Sequence, residues 1–263
     1  MATVNEKMTA IADAIRDKTG ETNPLNLDDM AVGVGKVYDA GKSVGLDDFW
    51  DLYQNKGRRA YYRYAFAGEG WTNDTFKPRY DITPTNTCYG MFWDCGVKGD
   101  LVEILNDLGI TLDLSKATSY HYLFDGADFT RLGVINLTGT TTLSYAFQGM
   151  GSLVTIDKLI IKSDGSNTFS STFKSLPSLE NILIEGVIGQ NGCSFQQSTK
   201  LSGTSIVSII EALSTTKTGL TVTLSKTAVN AMTYPITSAQ TGTVYNSWNE
   251  LIGTRSTWTV SLA

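Results

Sequence analysis

Two copies of one pattern occupy residues 122–161, which read YLFDGADFTRLGVINLTGTTTLSYAFQGMGSLVTIDKLII. Each copy begins with a Tyr-x-Phe-x-Gly anchor, around Phe124 and Phe147, and continues into a short apolar segment. A third copy contains Phe173, and weaker copies contain Phe92 and Phe195. The anchors from Phe124 onward are 23, 26 and 22 residues apart, and the step from Phe92 to Phe124 is 32. The last three steps lie in the range of about 20–29 residues that is typical of leucine-rich repeats.

The repeats determine the predicted fold class. One unit has too few apolar residues to fold alone, so neighbouring units must stack their phenylalanines and leucines in one column. The segments around 134–135, 160–161 and 182–184 have the apolar character of short parallel strands. The step from Phe92 to Phe124 is longer than the others, and its additional residues predict an extra helix over 101–108. We predict an α/β fold, a short leucine-rich-repeat solenoid over 87–200.

Residues 1–45 are predicted to form an N-terminal helical attachment segment. A first helix over 4–18 and a second after Asn26 each carry an apolar stripe. Such a stripe shows that a face is buried but not against what, so a hairpin that caps the solenoid is an equal alternative. The candidate residues for attachment to a larger particle are Met8, Ile11, Ile15, Met30 and Val34.

Residues 46–86 are rich in aromatic side chains and are predicted to form a capping subdomain. Large aromatics are more often buried anchors than exposed platforms, which favours a core for this subdomain. The alternative is a face on which sugar rings stack, because aromatic rings offer flat apolar area with a polar edge. The candidate ligand-binding residues on that alternative are Trp50, Tyr61, Tyr62, Trp71 and Tyr80.

Residues 201–263 are predicted to form a C-terminal helix–strand cap. A terminal unit of a solenoid needs larger elements that close the open end of the column. The pattern predicts a helix through Ile206–Leu213 capped by Thr204 or Ser205, and a strand over 220–224. It also predicts a helical turn over 228–232, a helix over 244–252 and a last strand over 258–262.

Composition limits the classes of function. The net charge is -5 with no basic cluster of any size, which argues against nucleic-acid binding. The three cysteines lack metal-ligand spacing and are expected to be buried free thiols. We expect no secretion signal and no membrane-spanning segment, and hence synthesis in a host cytoplasm without membrane insertion.

Catalytic chemistry finds little support. His121 is the only histidine and stands between Tyr120 and Tyr122 at the start of a repeat, where a structural role is expected. Carboxylate pairs such as Asp125 with Asp128 lie at turn positions, where aspartate is normally a turn former. We therefore predict that the protein is not an enzyme and has no catalytic residue, cofactor or metal.

The repeats resemble BspA-type leucine-rich repeats, through the Tyr-x-Phe-x-Gly/Ser anchor and the Leu-x-x-Ile-x-x-Leu segment. The C-terminal LSKTAVNA over 224–231 and WNELI over 248–252 resemble the same family. The segment NEKMTAIADAIRDKTG over 5–20 is similar to the N-termini of tail-associated structural proteins of phages and prophages of Gram-positive gut bacteria. Tyr64-Ala-Phe-Ala-Gly68 looks like part of the same architecture.

The resemblance implies a phage virion structural protein, most simply a tail fibre, tail tip or baseplate component. Its repeat domain would project outward and bind a host surface glycan or protein, while its N-terminus would bind other virion proteins. Such proteins are commonly homo-oligomers, and a trimer is one form. The alternatives are a capsid or head fibre or decoration protein, and a bacterial surface adhesin with leucine-rich repeats.

Overall fold

The structure is a computed structural model that describes residues 65–78 and 81–263, together with Asp13. The chain divides into two units, Met1–Gly57 and Arg58–Ala263. Asp13 lies in a helix with its side chain exposed, and the rest of the predicted attachment segment lies outside the described residues. The described residues form a mixed α/β fold with parallel sheets, so the predicted α/β class is confirmed.

Four parallel strands form the first sheet, in the order β1-β2-β3-β4. They are β1 (Gly99–Asp100), β2 (Phe129–Asn136), β3 (Thr155–Ile160) and β4 (Asn181–Glu185). Their register places Leu132 beside Ile156 and Ile135 beside Leu159, and all four side chains are buried. The three strands read from the apolar segments of the repeats are therefore confirmed.

The helix expected in the long repeat step is also present. Helix α1 (Leu101–Asp107) follows β1, and the Asp100 carboxylate caps it by accepting hydrogen bonds from the amides of Val102 and Glu103 at 2.9 and 3.2 Å. The helix packs close to β2 because position 133 is glycine. A Cβ added to Gly133 would lie 2.6 Å from Cγ2 of Val102.

The phenylalanines of the repeat anchors form one stack of rings. Centroid distances are 5.1 Å for Phe92–Phe124, 5.7 Å for Phe124–Phe147, 5.8 Å for Phe147–Phe173 and 4.3 Å for Phe173–Phe195. All are fully or almost fully buried. The predicted burial of phenylalanine on phenylalanine from unit to unit is confirmed.

A sixth ring extends the stack into the predicted capping subdomain. Phe66 lies 5.1 Å from Phe92 with an interplanar angle of 16°. The sequence 64–68 reads YAFAG, which matches the anchor pattern, and 26 residues separate the two phenylalanines. The column of rings thus begins before the predicted boundary at residue 87.

Backbone hydrogen bonds join each anchor turn to the turn of the next repeat. The amides of Phe92, Phe124 and Phe147 donate to the carbonyls of Leu123, Ala146 and Thr172 at 2.8, 2.8 and 3.1 Å. The Phe66 amide donates to the carbonyl of Met91 at 2.8 Å in the same way. The turn side of the column is therefore hydrogen-bonded from layer to layer, as the strand side is.

The C-terminal part contains a second parallel sheet and three helices. The sheet has the order β5-β6-β9, and a separate antiparallel pair joins β7 to β8. In chain order the elements are β5 (Ser194–Phe195), α2 (Gly203–Ala212), β6 (Leu220–Leu224), α3 (Lys226–Asn230), β7 (Ile236–Thr237), β8 (Val244–Tyr245), α4 (Trp248–Gly253) and β9 (Trp258–Leu262). The predicted helix–strand composition of 201–263 is confirmed.

Two details of this part correct the sequence prediction. Helix α2 is capped by Ser202, whose hydroxyl accepts from the Ser205 amide at 3.3 Å, and not by Thr204 or Ser205. The last helix does not begin at Val244 but at Trp248. Its start is set by Ser247, whose hydroxyl accepts from the Glu250 amide at 3.2 Å, while 244–245 pair with β7.

Helix α2 lies along the outer edge of β4 and takes the place of a fifth strand. The amides of Ile182 and Ile184 donate to the hydroxyls of Ser205 and Ser208 at 2.9 and 2.8 Å. The carbonyl of Ile184 accepts from the side-chain amide of Gln240. Side chains thus satisfy the backbone groups that a sheet edge would otherwise leave unpaired.

The carboxylate of Glu211 connects α2 to the β7–β8 pair. It accepts hydrogen bonds from the hydroxyls of Ser238 at 2.6 Å, Tyr245 at 2.9 Å and Thr241 at 3.0 Å. Arg255, after α4, donates to the backbone carbonyls of Leu213 and Glu211 at 2.8 and 2.6 Å. Single polar side chains therefore hold these elements together.

Within the residues that the structure describes, no helix has the length and apolar character needed to cross a membrane.

Candidate binding surface

A strip of aromatic side chains lies on the outer side of the anchor turns. Tyr122 and Tyr145 occupy equivalent positions, two residues before Phe124 and Phe147. Their rings stack at 4.7 Å with an interplanar angle of 8°. Tyr89 lies 5.4 Å from Tyr122, and all three are partly exposed.

The only histidine belongs to the same strip. The His121 ring lies 6.0 Å from Tyr89 and 6.2 Å from Tyr122, and it is partly exposed. We call Tyr89, His121, Tyr122 and Tyr145 the aromatic strip. Its position agrees with the structural role expected for His121, since the ring packs among neighbouring tyrosines.

The backbone of the anchor turns fixes the strip in place. Tyr122 and Tyr145 have φ of 55° and 61°, in the left-handed region, and Ser171 has φ of 53° at the equivalent position of the next repeat. The amides of the two tyrosines donate to the carbonyls of Ser144 and Ser170 at 3.3 and 2.9 Å. Because this conformation costs a non-glycine residue free energy, the surrounding layers must hold it.

Trp93 is a further aromatic residue on these turns. It follows Phe92, is 42% exposed, and borders a shallow depression with Ala67, Gly68 and Asp94. Ring faces that lie half in water suit ligands that carry both apolar C–H faces and hydroxyl groups.

Two aspartates lie next to each other on adjacent turns. The Asp94 amide donates to the Asp125 carbonyl at 2.7 Å. Burial, aided by the charge of Asp94, raises the pKa of Asp125 to about 6, although a hydrogen bond from Gln148 opposes the shift. Burial and the charge of Glu69 also raise the pKa of Asp94. Residues 65–78 and 81–263 contain no group of three potential ligands that could hold a metal ion.

The solvent face of the first sheet carries paired charges. Arg131 on β2 forms ion pairs with Asp100 at 2.9 Å and with Asp157 at 2.7 Å. Lys158 on β3 pairs with Glu185 on β4 at 3.0 Å. Because these charged side chains already pair with one another, this face offers a ligand less than the aromatic strip does.

The structure describes only one of the five predicted ligand-binding aromatics. Trp71 is buried, with its ring edge-on to Phe66 at 5.6 Å and to Phe76 at 6.3 Å. Trp71 therefore does not supply the exposed ring that ligand binding would require. For Phe66, Trp71 and Phe76, the alternative prediction of a buried core is confirmed. Trp50, Tyr61, Tyr62 and Tyr80 lie outside the described residues, as do the predicted attachment residues Met8, Ile11, Ile15, Met30 and Val34.

The cysteines agree with the prediction of buried free thiols. Cys88, Cys95 and Cys193 are buried and form no disulfide. Burial raises the pKa of all three thiols, to about 12 for Cys95. Thiols held in the neutral form are poor nucleophiles and poor metal ligands.

Sequence reasoning missed the aromatic strip, although its signal was present. The tyrosine of the Tyr-x-Phe-x-Gly anchor was taken as part of the pattern that builds the core. Tyr122 and Tyr145 precede the buried phenylalanines by two residues, adopt the left-handed backbone and remain partly exposed. No protein-family model, curated protein or solved structure matches this chain.

Proposed function

We propose that this chain is a binding component and not an enzyme, and that it contacts its ligand through the aromatic strip. The observation that carries the proposal is the parallel stacking of Tyr122 and Tyr145, both partly exposed, on turns that are hydrogen-bonded to their neighbours. A rigid platform of this kind loses little conformational entropy when a ligand binds.

The finer fold within this proposal is a short leucine-rich-repeat solenoid of the BspA type. The stack of six phenylalanines, the parallel order β1-β2-β3-β4 and the layer-to-layer hydrogen bonds of the turns support it. Helix α2 would then act as the terminal unit that closes the first sheet.

The biological setting that we propose is a phage particle, in a tail fibre, tail tip or baseplate. The similarity of residues 5–20 to the N-termini of tail-associated proteins supports this setting, and the predicted attachment residues would bind other virion proteins there. A head fibre or decoration protein and a bacterial surface adhesin are the competing settings. Mass spectrometry and immunogold labelling of purified particles separate them. Absence of the protein from the particles would overturn the virion setting.

The ligand that fits the strip best is a glycan of the host surface. The Tyr122 and Tyr145 rings stack on each other at 4.7 Å, so the strip presents their apolar ring edges and their hydroxyl groups to a ligand. A pyranose ring can pack its C–H groups against these edges and exchange hydrogen bonds with the phenol hydroxyls through its rim. A surface protein with exposed aromatic or aliphatic side chains is the second ligand class.

The chain itself supplies a matched substitution for the test. Ser171 occupies the position of Tyr122 and Tyr145 in the next repeat with the same left-handed backbone, so Tyr122→Ser and Tyr145→Ser should be compatible with the turn. We expect the double variant to lose binding to host cells and cell-wall glycans while it keeps its thermal unfolding transition.

The control is Val134→Ser, which changes a side chain 56% exposed on the face of the first sheet. We expect this variant to bind as the parent chain does. Unchanged binding by the double tyrosine variant would rule out the strip as the binding surface.

A further inference from the structure

The outer edge of β9 has free backbone hydrogen-bonding groups. The Ala263 amide donates to the Leu224 carbonyl at 3.1 Å, and the Lys226 amide donates to the Ala263 carbonyl at 2.9 Å. The backbone N–H and C=O groups of residues 259, 261 and 263 therefore point toward β6. Because these groups alternate in direction along a strand, the amides of Val260 and Leu262 point away from β6. Within the residues that the structure describes, no hydrogen bond reaches these two amides.

This edge lacks the devices that usually block strand pairing. Residues 258–262 read WTVSL, with no charged residue, proline or glycine. The pairing with β6 runs through all five residues without a bulge. Lysine, proline and bulges are the common protections of an edge strand, and residues such as Trp, Thr and Val favour further pairing.

The core side of β9 is also incompletely covered. Val260 and Leu262 lie beside Val222 and Leu224 of β6, which are fully buried. Leu262 is nevertheless 38% exposed and Val260 is partly exposed. An apolar side chain on the core face of a sheet becomes exposed in this way where a neighbouring strand is missing.

We propose that the missing neighbour is β9 of a second copy of this chain, paired antiparallel across a two-fold axis at Val260. In this register the Val260 residues of the two copies exchange N–H···O bonds, and each Leu262 amide donates to the Trp258 carbonyl of the other copy. The two sheets join into one six-stranded sheet.

The choice of a second copy rests on this register, because it leaves no charged or mismatched pair between the two strands. On the core face, Trp258 lies opposite Leu262 of the other copy and the two Val260 side chains meet at the axis, so every pair there is apolar. On the other face, Thr259 lies opposite Ser261, so hydroxyl meets hydroxyl. A contact of one patch with itself generates a closed dimer.

The first test measures the mass of the full chain by sedimentation equilibrium over a range of concentrations. We expect the mass of two chains. The variant Val260→Lys places two ammonium groups directly opposite each other and should give the mass of one chain. The control Val244→Lys makes the same change at an exposed valine of β8 and should leave the dimer intact. The unfolding temperature of each variant verifies that the fold is retained.

The second test detects the axis directly. Under mild oxidation, Val260→Cys should give a disulfide-linked dimer, because residues that form an antiparallel hydrogen-bonded pair have Cα atoms about 5.5 Å apart. The native cysteines are buried and do not compete, and Val244→Cys should give no cross-link. A monomer at all concentrations, a trimer, or a dimer that neither Val260 variant affects would each overturn the proposal. None of these results bears on ligand binding by the aromatic strip.

Discussion

The stacked part of the chain and its C-terminal part are held together in different ways. From Phe66 to Phe195 the same contact is made repeatedly, ring on ring and turn on turn. From Ser202 onward the contacts are individual, such as the hydroxyls of Ser205 and Ser208 on β4 and the three hydroxyls on Glu211. Contacts that are the same in every repeat allow further repeats to be added. The side-chain hydrogen bonds from Ser202 onward differ from them and end the column.

We expect the largest loss of stability for a substitution in the middle of the phenylalanine stack. Phe147 is fully buried and contacts Phe124 and Phe173 at 5.7 and 5.8 Å. Phe147→Ala opens a cavity on both sides, and we expect a loss of about 3–5 kcal/mol in the free energy of unfolding. Urea denaturation measures this loss.

Val134→Ala, at an exposed position of the adjacent strand, is the control and should change the free energy of unfolding little. Equal stability of Phe147→Ala and the parent chain would show that the stack is not the main source of stability in this part.

The same contrast explains which features could be predicted from the sequence. The repeated anchor predicted the phenylalanine column and the positions of β2, β3 and β4, because a contact that recurs leaves a periodic trace. Phe66 fits the same anchor, but nine other aromatic residues between positions 46 and 85 obscured it. The N-cap at Ser202 and the start of α4 at Trp248 lay within a few residues of the predicted positions.

The side-chain hydrogen bonds that end the column are not marked by any repeated pattern in the sequence. Ser205 and Ser208 read as ordinary polar positions of an amphipathic helix, and only the placement of α2 beside β4 gives them buried acceptor roles. The partners of Glu211 lie 27 to 34 residues further along the chain. No local pattern predicts such pairings, since they depend on how the β7–β8 pair packs.

Removing the hydroxyls of Ser205 and Ser208 should leave two amides at the outer edge of β4 without their hydrogen-bond partners. In the double variant Ser205→Ala and Ser208→Ala, the buried amides of Ile182 and Ile184 lose their acceptors, and we expect a loss of about 2–4 kcal/mol. Hydrogen exchange followed by NMR should show faster exchange at these two amides. Thr204→Ala, which removes an exposed hydroxyl from the same helix, should leave both amides protected.

Removing the carboxylate that holds the β7–β8 pair should have a somewhat smaller effect. Glu211→Ala leaves the hydroxyls of Ser238, Thr241 and Tyr245 without their acceptor, and we expect a loss of about 2–3 kcal/mol. The pKa of Tyr245, which burial and Glu211 raise to about 12, should fall in this variant.

Thermal unfolding and an NMR titration of the Tyr245 ring measure the two effects of Glu211→Ala. Glu103→Ala, at an exposed position of α1, is the control for loss of a carboxylate. An unchanged Tyr245 pKa in the Glu211 variant would contradict the contact.

The stacking of the turns also destabilises one side chain, the carboxyl of Asp125. Stacking buries the Asp125 carboxyl and also brings the charge of Asp94 close to it, and both effects disfavour its charged form. The folded-state pKa of Asp125 is about 6, above its ordinary value near 4, so between these pH values the folded chain retains a proton that the unfolded chain has lost. The contribution of Asp125 to stability therefore falls as pH rises from about 4 to about 6 and is constant above.

Asp125→Asn should remove that slope and raise the stability at neutral pH. Because the carboxylate is partly hydrated, we expect a gain of about 1–2 kcal/mol, less than the full shift would give. Urea denaturation at several pH values measures it, and Asp107→Asn, an exposed carboxylate at the end of α1, should retain the slope. If the slope persists in Asp125→Asn, it comes from another group, and the carboxylate buried between the stacked turns costs no measurable stability.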